Sequence, residues 1–153
     1  MNLPDFKSTE KTFQQIKWLK LYAKKNLIIQ THYSTHLLFQ SILKNSDLAF
    51  YSSEIVLRKK EGYPPFGKLI KLSISDFSSK KAQDKAQQLS RKLTQKTKDL
   101  EILGPAPSYS VKRGGKYLWQ LILKGQNPEQ NPEQILSQIP KDWKIDIEPV
   151  SLL

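Results

Sequence analysis

The residues best suited to chemistry are cations and aromatic rings that alternate along two adjacent stretches of the chain. They are Tyr109, Lys112, Arg113, Lys116, Tyr117, Trp119 and Lys124. Cations neutralise phosphates, and flat rings stack on bases, each stack contributing about 1 to 3 kcal/mol. The combination predicts a surface for single-stranded nucleic acid. Two alternatives stay open: Tyr117 and Trp119 face a core and only the charges are exposed, or the surface binds an acidic peptide with a hydrophobic end.

The charge of the 153-residue chain also favours a polyanionic partner. Lys and Arg number 25 against 14 Asp and Glu, and the net charge is +6 over residues 1–60, +8 over 61–125 and −3 over 126–153. We therefore add a basic cluster, Arg58, Lys59, Lys60 and Lys68, to the predicted nucleic-acid-binding residues. The alternative is a bias of composition, because all but three of the basic residues are lysines.

Motifs for catalysis are absent from the sequence. It has no glycine-rich Gly-Lys-Ser/Thr loop, no Cys, and only two imidazoles, His32 and His36, without a neighbouring carboxylate. We predict no cofactor, no metal site and no catalysis by this chain alone. No window of about 18 apolar residues and no basic-then-apolar leader occur, so we expect a cytoplasmic protein without a membrane partner.

The elements that position these residues are predicted from hydrophobic spacing. The first 62 residues favour a basic amphipathic helix around residues 13–22, a buried strand at 27–31, and two further helices. Ser34 or Thr35 is the predicted cap of the second helix, and Asp47 that of the third. In this third helix Leu48, Tyr51 and Ile55 fall along one side.

From Lys68 the pattern changes to strand, helix, strand, strand, helix, strand. Residues 104–107 form a predicted corner, Gly114-Gly115 a hairpin turn, and residues 133–139 the second helix. This order predicts an α+β fold of the split βαβ type (ferredoxin-like, βαββαβ), in which a four-stranded antiparallel sheet carries two helices on one face. The other face is then expected to be free for binding.

Four segments then resemble the C-terminal part of the PriA family of replication-restart DNA helicases. They are residues 62–67 (GYPPFG), 103–107 (LGPAP), 116–125 (KYLWQLILKG) and 145–153 (IDIEPVSLL), and their order and spacing match as a set. Residues 3–6 with Glu10 and Phe13, and residues 28–31, resemble the end of that family's second motor lobe. The resemblance implies three parts: a remnant of the second lobe at 1–33, a helical connector at 34–62, and the C-terminal domain at 63–153.

The family is an ATP-dependent 3′ to 5′ helicase, and its C-terminal domain contacts DNA and the tail of single-stranded-DNA-binding protein. Of its motifs, the P-loop, the Asp-Glu pair and the zinc cysteines are missing from this sequence. The segment that carries the family's phosphate-stabilising arginine is replaced, with Trp18, Leu21, Tyr22, Lys24 and Lys25 at its positions. For the tail-binding site the resemblance leaves Gln130 and Gln134, without the family's Arg.

Three hypotheses follow. The first is a non-catalytic module of the primosome that binds single-stranded or forked DNA and a protein partner. The second is the last fragment of a split ATP-dependent helicase that assembles with separate motor lobes. The third is an RNA- or ribosome-associated protein of similar fold.

Overall fold

The computed structural model describes residues 5–97, 100–125 and 135–152, with backbone only for residues 109–113. It divides into two compact units, Met1–Arg58 and Lys59–Leu153. In chain order the elements are α1 (Ser8–Tyr22), α2 (Leu37–Leu43), α3 (Asp47–Glu61), β1 (Lys68–Asp76), α4 (Ser79–Lys96), β2 (Glu101–Arg113), β3 (Lys116–Gly125) and β4 (Lys144–Ile147).

Unit 1 has a small aromatic core. The rings of Phe13 in α1 and Phe50 in α3 are stacked, with 3.9 Å between their centroids, and Leu38 of α2 is fully buried beside them. This stack decides which side of α3 faces inward. The apolar side that the sequence spacing marks is not the core side, since Leu48 and Ile55 are exposed while Phe50 is buried.

The buried strand predicted at residues 27–31 is also wrong. These residues form neither strand nor helix, and Ile28 is 90% exposed. A strand is stable only when a second strand satisfies its backbone hydrogen bonds, and the described residues of unit 1 include no strand.

The caps of α2 and α3 each lie at a neighbour of the predicted residue. His36 Nδ1 accepts a hydrogen bond from the Leu38 amide at 3.2 Å, so the α2 cap is neither Ser34 nor Thr35. Ser46 Oγ accepts from the Ala49 amide at 3.3 Å one turn into α3, and Asp47 is the first helical residue. Both caps satisfy an amide that has no partner within its helix.

Unit 2 is built on a four-stranded antiparallel sheet in the order β2-β3-β1-β4, which confirms the predicted α+β fold. The alternating apolar residues of β1 pair with those of β3, Ile70 with Leu123 and Leu72 with Leu121. Helix α4, capped by Ser78, covers this face. Its buried stripe is Ala82, Ala86, Leu89 and Leu93, as the spacing predicts.

Two predicted details of unit 2 differ. The corner at residues 104–107 lies inside one continuous strand, β2, whose pairing with β3 shifts register between Leu103 and Ala106 and again between Pro107 and Lys112. Gly104 permits this bulged path with a φ of +99°. Of the helix predicted around 133–139, residues 135–136 are helical and turn bonds follow, from the Gln138 amide to the Ile135 carbonyl among them.

The second face of the sheet is covered in part, contrary to expectation. Two side chains of that face contact the C-terminal segment: Gln120 Nε2 donates to the Leu152 carbonyl at 2.9 Å, and Lys71 Nζ donates to the Ser151 carbonyl at 3.5 Å. Leu69 and Ile122, on the same face, are buried. The expectation rested on the split βαβ arrangement, which places both helices on the other face and specifies nothing about the residues that follow the last strand.

Candidate nucleic-acid interface

The predicted nucleic-acid-binding residues of unit 2 lie at two opposite ends of the sheet. Lys116 begins β3, whereas Lys124 lies near its end, and Lys68 at the start of β1 pairs with Gly125. Eight residues of extended strand separate Lys116 from Lys124, a distance of about 26 Å. The structure therefore does not bring these residues into a single cluster.

The first end is formed by the β2–β3 hairpin and the turn that follows β1. Gly114 and Gly115 have φ values of +55° and +79°, as the two-residue turn requires. In the ladder Lys112 is opposite Tyr117 and Arg113 is opposite Lys116. We call this region the hairpin end; its members are Phe77, Lys80, Lys81, Lys112, Arg113, Lys116 and Tyr117.

Sequence reasoning missed three members of the hairpin end, Phe77, Lys80 and Lys81, of which Phe77 is the aromatic one. It is 72% exposed, more than any other aromatic side chain described, and Lys116 Nζ lies 5.0 Å from the centre of its ring. Asp76, the preceding residue, is opposite Tyr117 in the ladder, which brings the Phe77 turn beside the hairpin. The one available signal was an isolated Phe in a polar turn, Asp-Phe-Ser-Ser, directly after a strand.

The turn that carries Phe77 is braced on both sides. Asp76 Oδ1 accepts a hydrogen bond from the Ser78 amide at 3.0 Å, and Asp76 Oδ2 pairs with Lys85 Nζ at 3.3 Å. The Ser78 hydrogen bond lowers the pKa of the Asp76 carboxyl, and the bond to Lys85 lowers it further. Bonds to Asp76 and Asp142 raise the pKa of Lys85 in turn. Phe77 is thus held in a fixed place while its ring stays in solvent.

The first turn of α4 adds charge at the same end of the sheet, since only Phe77 and Ser78 separate it from β1. Lys80 and Lys81 are exposed there, and the turn contains no acidic residue. Tyr117 is half-buried, and Trp119 packs against the core as the alternative interpretation of the sequence expected. Among the side chains described at the hairpin end, Phe77 is therefore the exposed ring, and it lies beside cations.

At the opposite end, Lys124 is engaged inside the unit. Its side chain is only 11% exposed, and its Nζ lies 2.7 Å from a Glu101 carboxylate oxygen, 2.7 Å from the Glu61 carbonyl and 4.8 Å from the centre of the Tyr63 ring. Lys124 thus anchors the 61–67 segment. Lys68 is half-buried, and Lys59 and Lys60 are exposed in the last turn of α3.

Arg58 belongs to unit 1, where two carboxylates hold it. Its guanidinium lies 2.7 Å from Glu10 and 3.1 Å from Glu54, and its side chain is 13% exposed. Burial by itself lowers the pKa of Arg58, but the hydrogen bonds and charges of the two glutamates outweigh it and raise the pKa above its usual value. The guanidinium is therefore occupied by structural contacts.

A separate groove lies between α4 and residues 138–143. It has a volume of about 320 Å³, with Leu89 and Trp143 among the residues that line it and Lys85 and Lys92 along its sides. Lys92 Nζ donates to the Gln138 carbonyl at 3.2 Å and so closes one side. The two residues predicted to bind a protein tail, Gln130 and Gln134, lie outside the described residues.

Among residues 5–97, 100–125 and 135–152, no group of three or more His, Asp or Glu side chains is arranged to hold a metal ion. No helix in that part of the chain is long and apolar enough to cross a membrane.

The fold defines the class of the protein: an α+β module in which a helical N-terminal segment precedes a four-stranded antiparallel sheet. One end of this sheet, the hairpin end, carries cations and an exposed ring. Residues 59–150 match the family described as the primosomal protein N C-terminal domain. The chain belongs to this family, which confirms the resemblance found in the sequence.

Curated relatives agree over a longer stretch. The replication restart protein PriA of Synechocystis sp. is 29% identical over 99% of this chain, and that of Bacillus subtilis is 29% identical over 97%. The PriA of Haemophilus influenzae is 32% identical over 64% of the chain. The alignments span 20%, 19% and 14% of these relatives, so the chain corresponds to at most a fifth of their length.

Proposed function

We propose that the chain is a non-catalytic DNA-binding module of replication restart, which holds single-stranded or forked DNA at the hairpin end. The observation that carries this proposal is the juxtaposition of Lys116, the exposed ring of Phe77 and the acid-free first turn of α4. Phosphates attract the cations, while an exposed ring offers a stacking face. Membership of a family whose relatives are named replication restart proteins supports DNA as the substrate.

Binding of labelled fork DNA, followed by fluorescence anisotropy at about 50 and 200 mM salt, tests the proposal. Contact with several phosphates predicts a loss of affinity of several-fold or more between the two salts. Lys116→Met is expected to reduce the slope of log K against log salt by about 1, whereas Lys141→Met, at an exposed lysine of the 140–143 turn, is the matched control. Salt-independent binding contradicts the proposal, and clear preference for RNA of the same sequence favours an RNA-associated role instead.

The groove beside α4 supports a second partner, the tail of a single-stranded-DNA-binding protein. An acidic peptide with an apolar last residue suits a site where Leu89 and Trp143 lie beside Lys92; Asp142 also lines the groove and, together with Asp76, pairs with Lys85. Such a peptide is expected to change the fluorescence of Trp143 and to bind more weakly to Lys92→Glu than to Lys96→Glu, a change one turn further along the helix. Equal binding to both variants would argue for another site.

The alternative function is the C-terminal part of an ATP-dependent helicase. The favouring observation is in unit 1, where the apolar residues Leu27, Ile28 and Ile29 are exposed in a chain that spans only 20% to 25% of PriA relatives it matches almost end to end. Motor lobes, on the same chain or on a separate one, would cover them. Mixing this chain with the product of the upstream reading frame is then expected to give co-elution and an ATPase that neither piece has alone.

A further inference from the structure

We infer that Phe77 is the specificity-determining residue of the hairpin end, stacking on an unpaired base so that the surface prefers single-stranded DNA to duplex. This inference rests on the proposed function and assigns the stacking role to a residue outside the predicted set. Its starting point is that the Phe77 ring is 72% exposed and is not among the side chains of the hydrophobic core cluster of unit 2.

The turn that carries Phe77 is held by hydrogen bonds and an ion pair on both sides of the ring. The two neighbours of Phe77 are fixed by the hydrogen bond from the Ser78 amide to Asp76, by the Asp76–Lys85 ion pair, and by Ser78 capping α4 through the Lys81 amide at 3.4 Å. A ring presented by a fixed turn loses little conformational entropy when a base stacks on it. A mobile loop would lose more.

The Phe77 ring and the Lys116 ammonium group lie close enough together to contact one nucleotide. Lys116 Nζ lies 5.0 Å from the centre of the Phe77 ring, so one nucleotide can stack its base on the ring while its own phosphate stays near the ammonium group. The backbone of β2 places residues 112 and 113, both basic in the sequence, opposite Tyr117 and Lys116 in the ladder. Stacking on a side chain requires an open base face, which a duplex interior does not provide.

Four other apolar side chains described in unit 2 are exposed. Phe66 is 38% exposed and comes just before β1, at the end of the sheet away from Phe77. Ile145, Ile147 and Val150 are 36%, 55% and 76% exposed, but they are aliphatic and lie on β4 and the segment after it. Because Ser151 contacts Lys71 near the start of β1, Val150 lies about 20 Å of strand away from Phe77. Val150 is therefore a matched control for the loss of exposed apolar surface.

The test measures affinities of the full chain and its variants for a single strand of about 12 nucleotides and for the duplex of equal length. Phe77→Ala is expected to weaken single-strand binding about fivefold to a hundredfold and to change duplex binding less than twofold. Phe77→Trp should retain the affinity, and its fluorescence should be quenched by the single strand alone. Val150→Ala should leave both affinities as they are.

The outcomes separate the two proposals. If the unaltered chain binds DNA with the expected salt dependence but Phe77→Ala binds both forms normally, or loses both equally, the role of Phe77 is wrong and the proposed function stands. If the unaltered chain does not bind DNA, both are wrong. If Phe77→Ala releases an acidic peptide rather than the single strand, the hairpin end is a protein-docking surface.

Discussion

Lys124 gives the sharpest distinction between the sequence prediction and the structure. The sequence predicts a phosphate contact, whereas the structure places Lys124 in an internal cluster with the Glu61 carbonyl, Glu101 and Tyr63. Lys124→Met keeps most of the side-chain packing and removes the charge. We therefore expect this substitution to lower stability and to leave the salt dependence of DNA binding unchanged.

The magnitude follows from the three contacts. A charge-assisted hydrogen bond contributes about 1.5 to 3 kcal/mol, and a partly exposed cation–π contact about 0.5 to 1 kcal/mol. The pair with Glu101 adds at most about 1 kcal/mol because that carboxylate is 55% exposed. The Glu61 carbonyl oxygen and the Glu101 carboxylate oxygen can both bind water in the variant, which offsets part of the loss. We therefore expect the free energy of unfolding to fall by about 1.5 to 3 kcal/mol, which corresponds to a decrease of about 1 to 2 M in the urea midpoint of unit 2.

Urea unfolding followed by fluorescence measures this loss. Trp18 of unit 1 is exposed, so a Trp18→Phe background leaves Trp119 and Trp143, which both pack on the core of unit 2, as reporters. Lys141→Met is the control for loss of one exposed lysine. An unchanged midpoint together with a salt slope reduced by about 1 would refute the structural reasoning and restore Lys124 as a phosphate contact.

Three further outcomes are expected. Gly67→Ala should destabilise unit 2 by about 2 kcal/mol or more in the same unfolding assay, because a Cβ at that position would lie 2.2 Å from the Gly62 carbonyl oxygen. Asp76→Asn should lower stability at neutral pH, and the difference should vanish in acid: the folded-state pKa of this carboxyl is depressed, so its contribution is present above the unfolded pKa of about 4 and is lost as pH falls through the folded value. A constant difference down to pH 2 would contradict that assignment. Arg58→Met should destabilise unit 1 by about 3 kcal/mol, measured by thermal unfolding, because it leaves a buried glutamate without its cation; an unchanged melting temperature would show that the pair contributes nothing.

The sheet of unit 2 could be predicted because its signals are local. Alternation in β1, the four-three-four spacing of α4 and the Gly114-Gly115 turn each specify one element within a few residues. The βαββαβ order then leaves few topologies. What lies over the second face could not be predicted, since the contact of Gln120 with the Leu152 carbonyl joins residues 32 positions apart.

Locating the site was harder for the same reason. Counting cations treats Lys116, Lys124 and Arg58 alike, but only the tertiary structure tells which of them are already paired. Two carboxylates hold Arg58 and the 61–67 segment holds Lys124, whereas Lys116 remains exposed beside Phe77. Phe77 was missed because a single aromatic residue in a polar turn has no periodicity to mark it.

The exposed apolar surface of unit 1 bears most directly on which function applies. Unit 2 covers one face of its sheet with α4 and part of the other face with its own C-terminal segment. Unit 1 buries few apolar side chains and exposes Leu21 to 82% and Ile28 to 90%. These residues lie in or near segment 27–31, which forms neither strand nor helix. Exposed apolar surface beside unpaired backbone is typical of an interface. Unit 1 thus has the surface expected of a piece that packs against a larger body, and the mixing experiment decides whether that body is a motor.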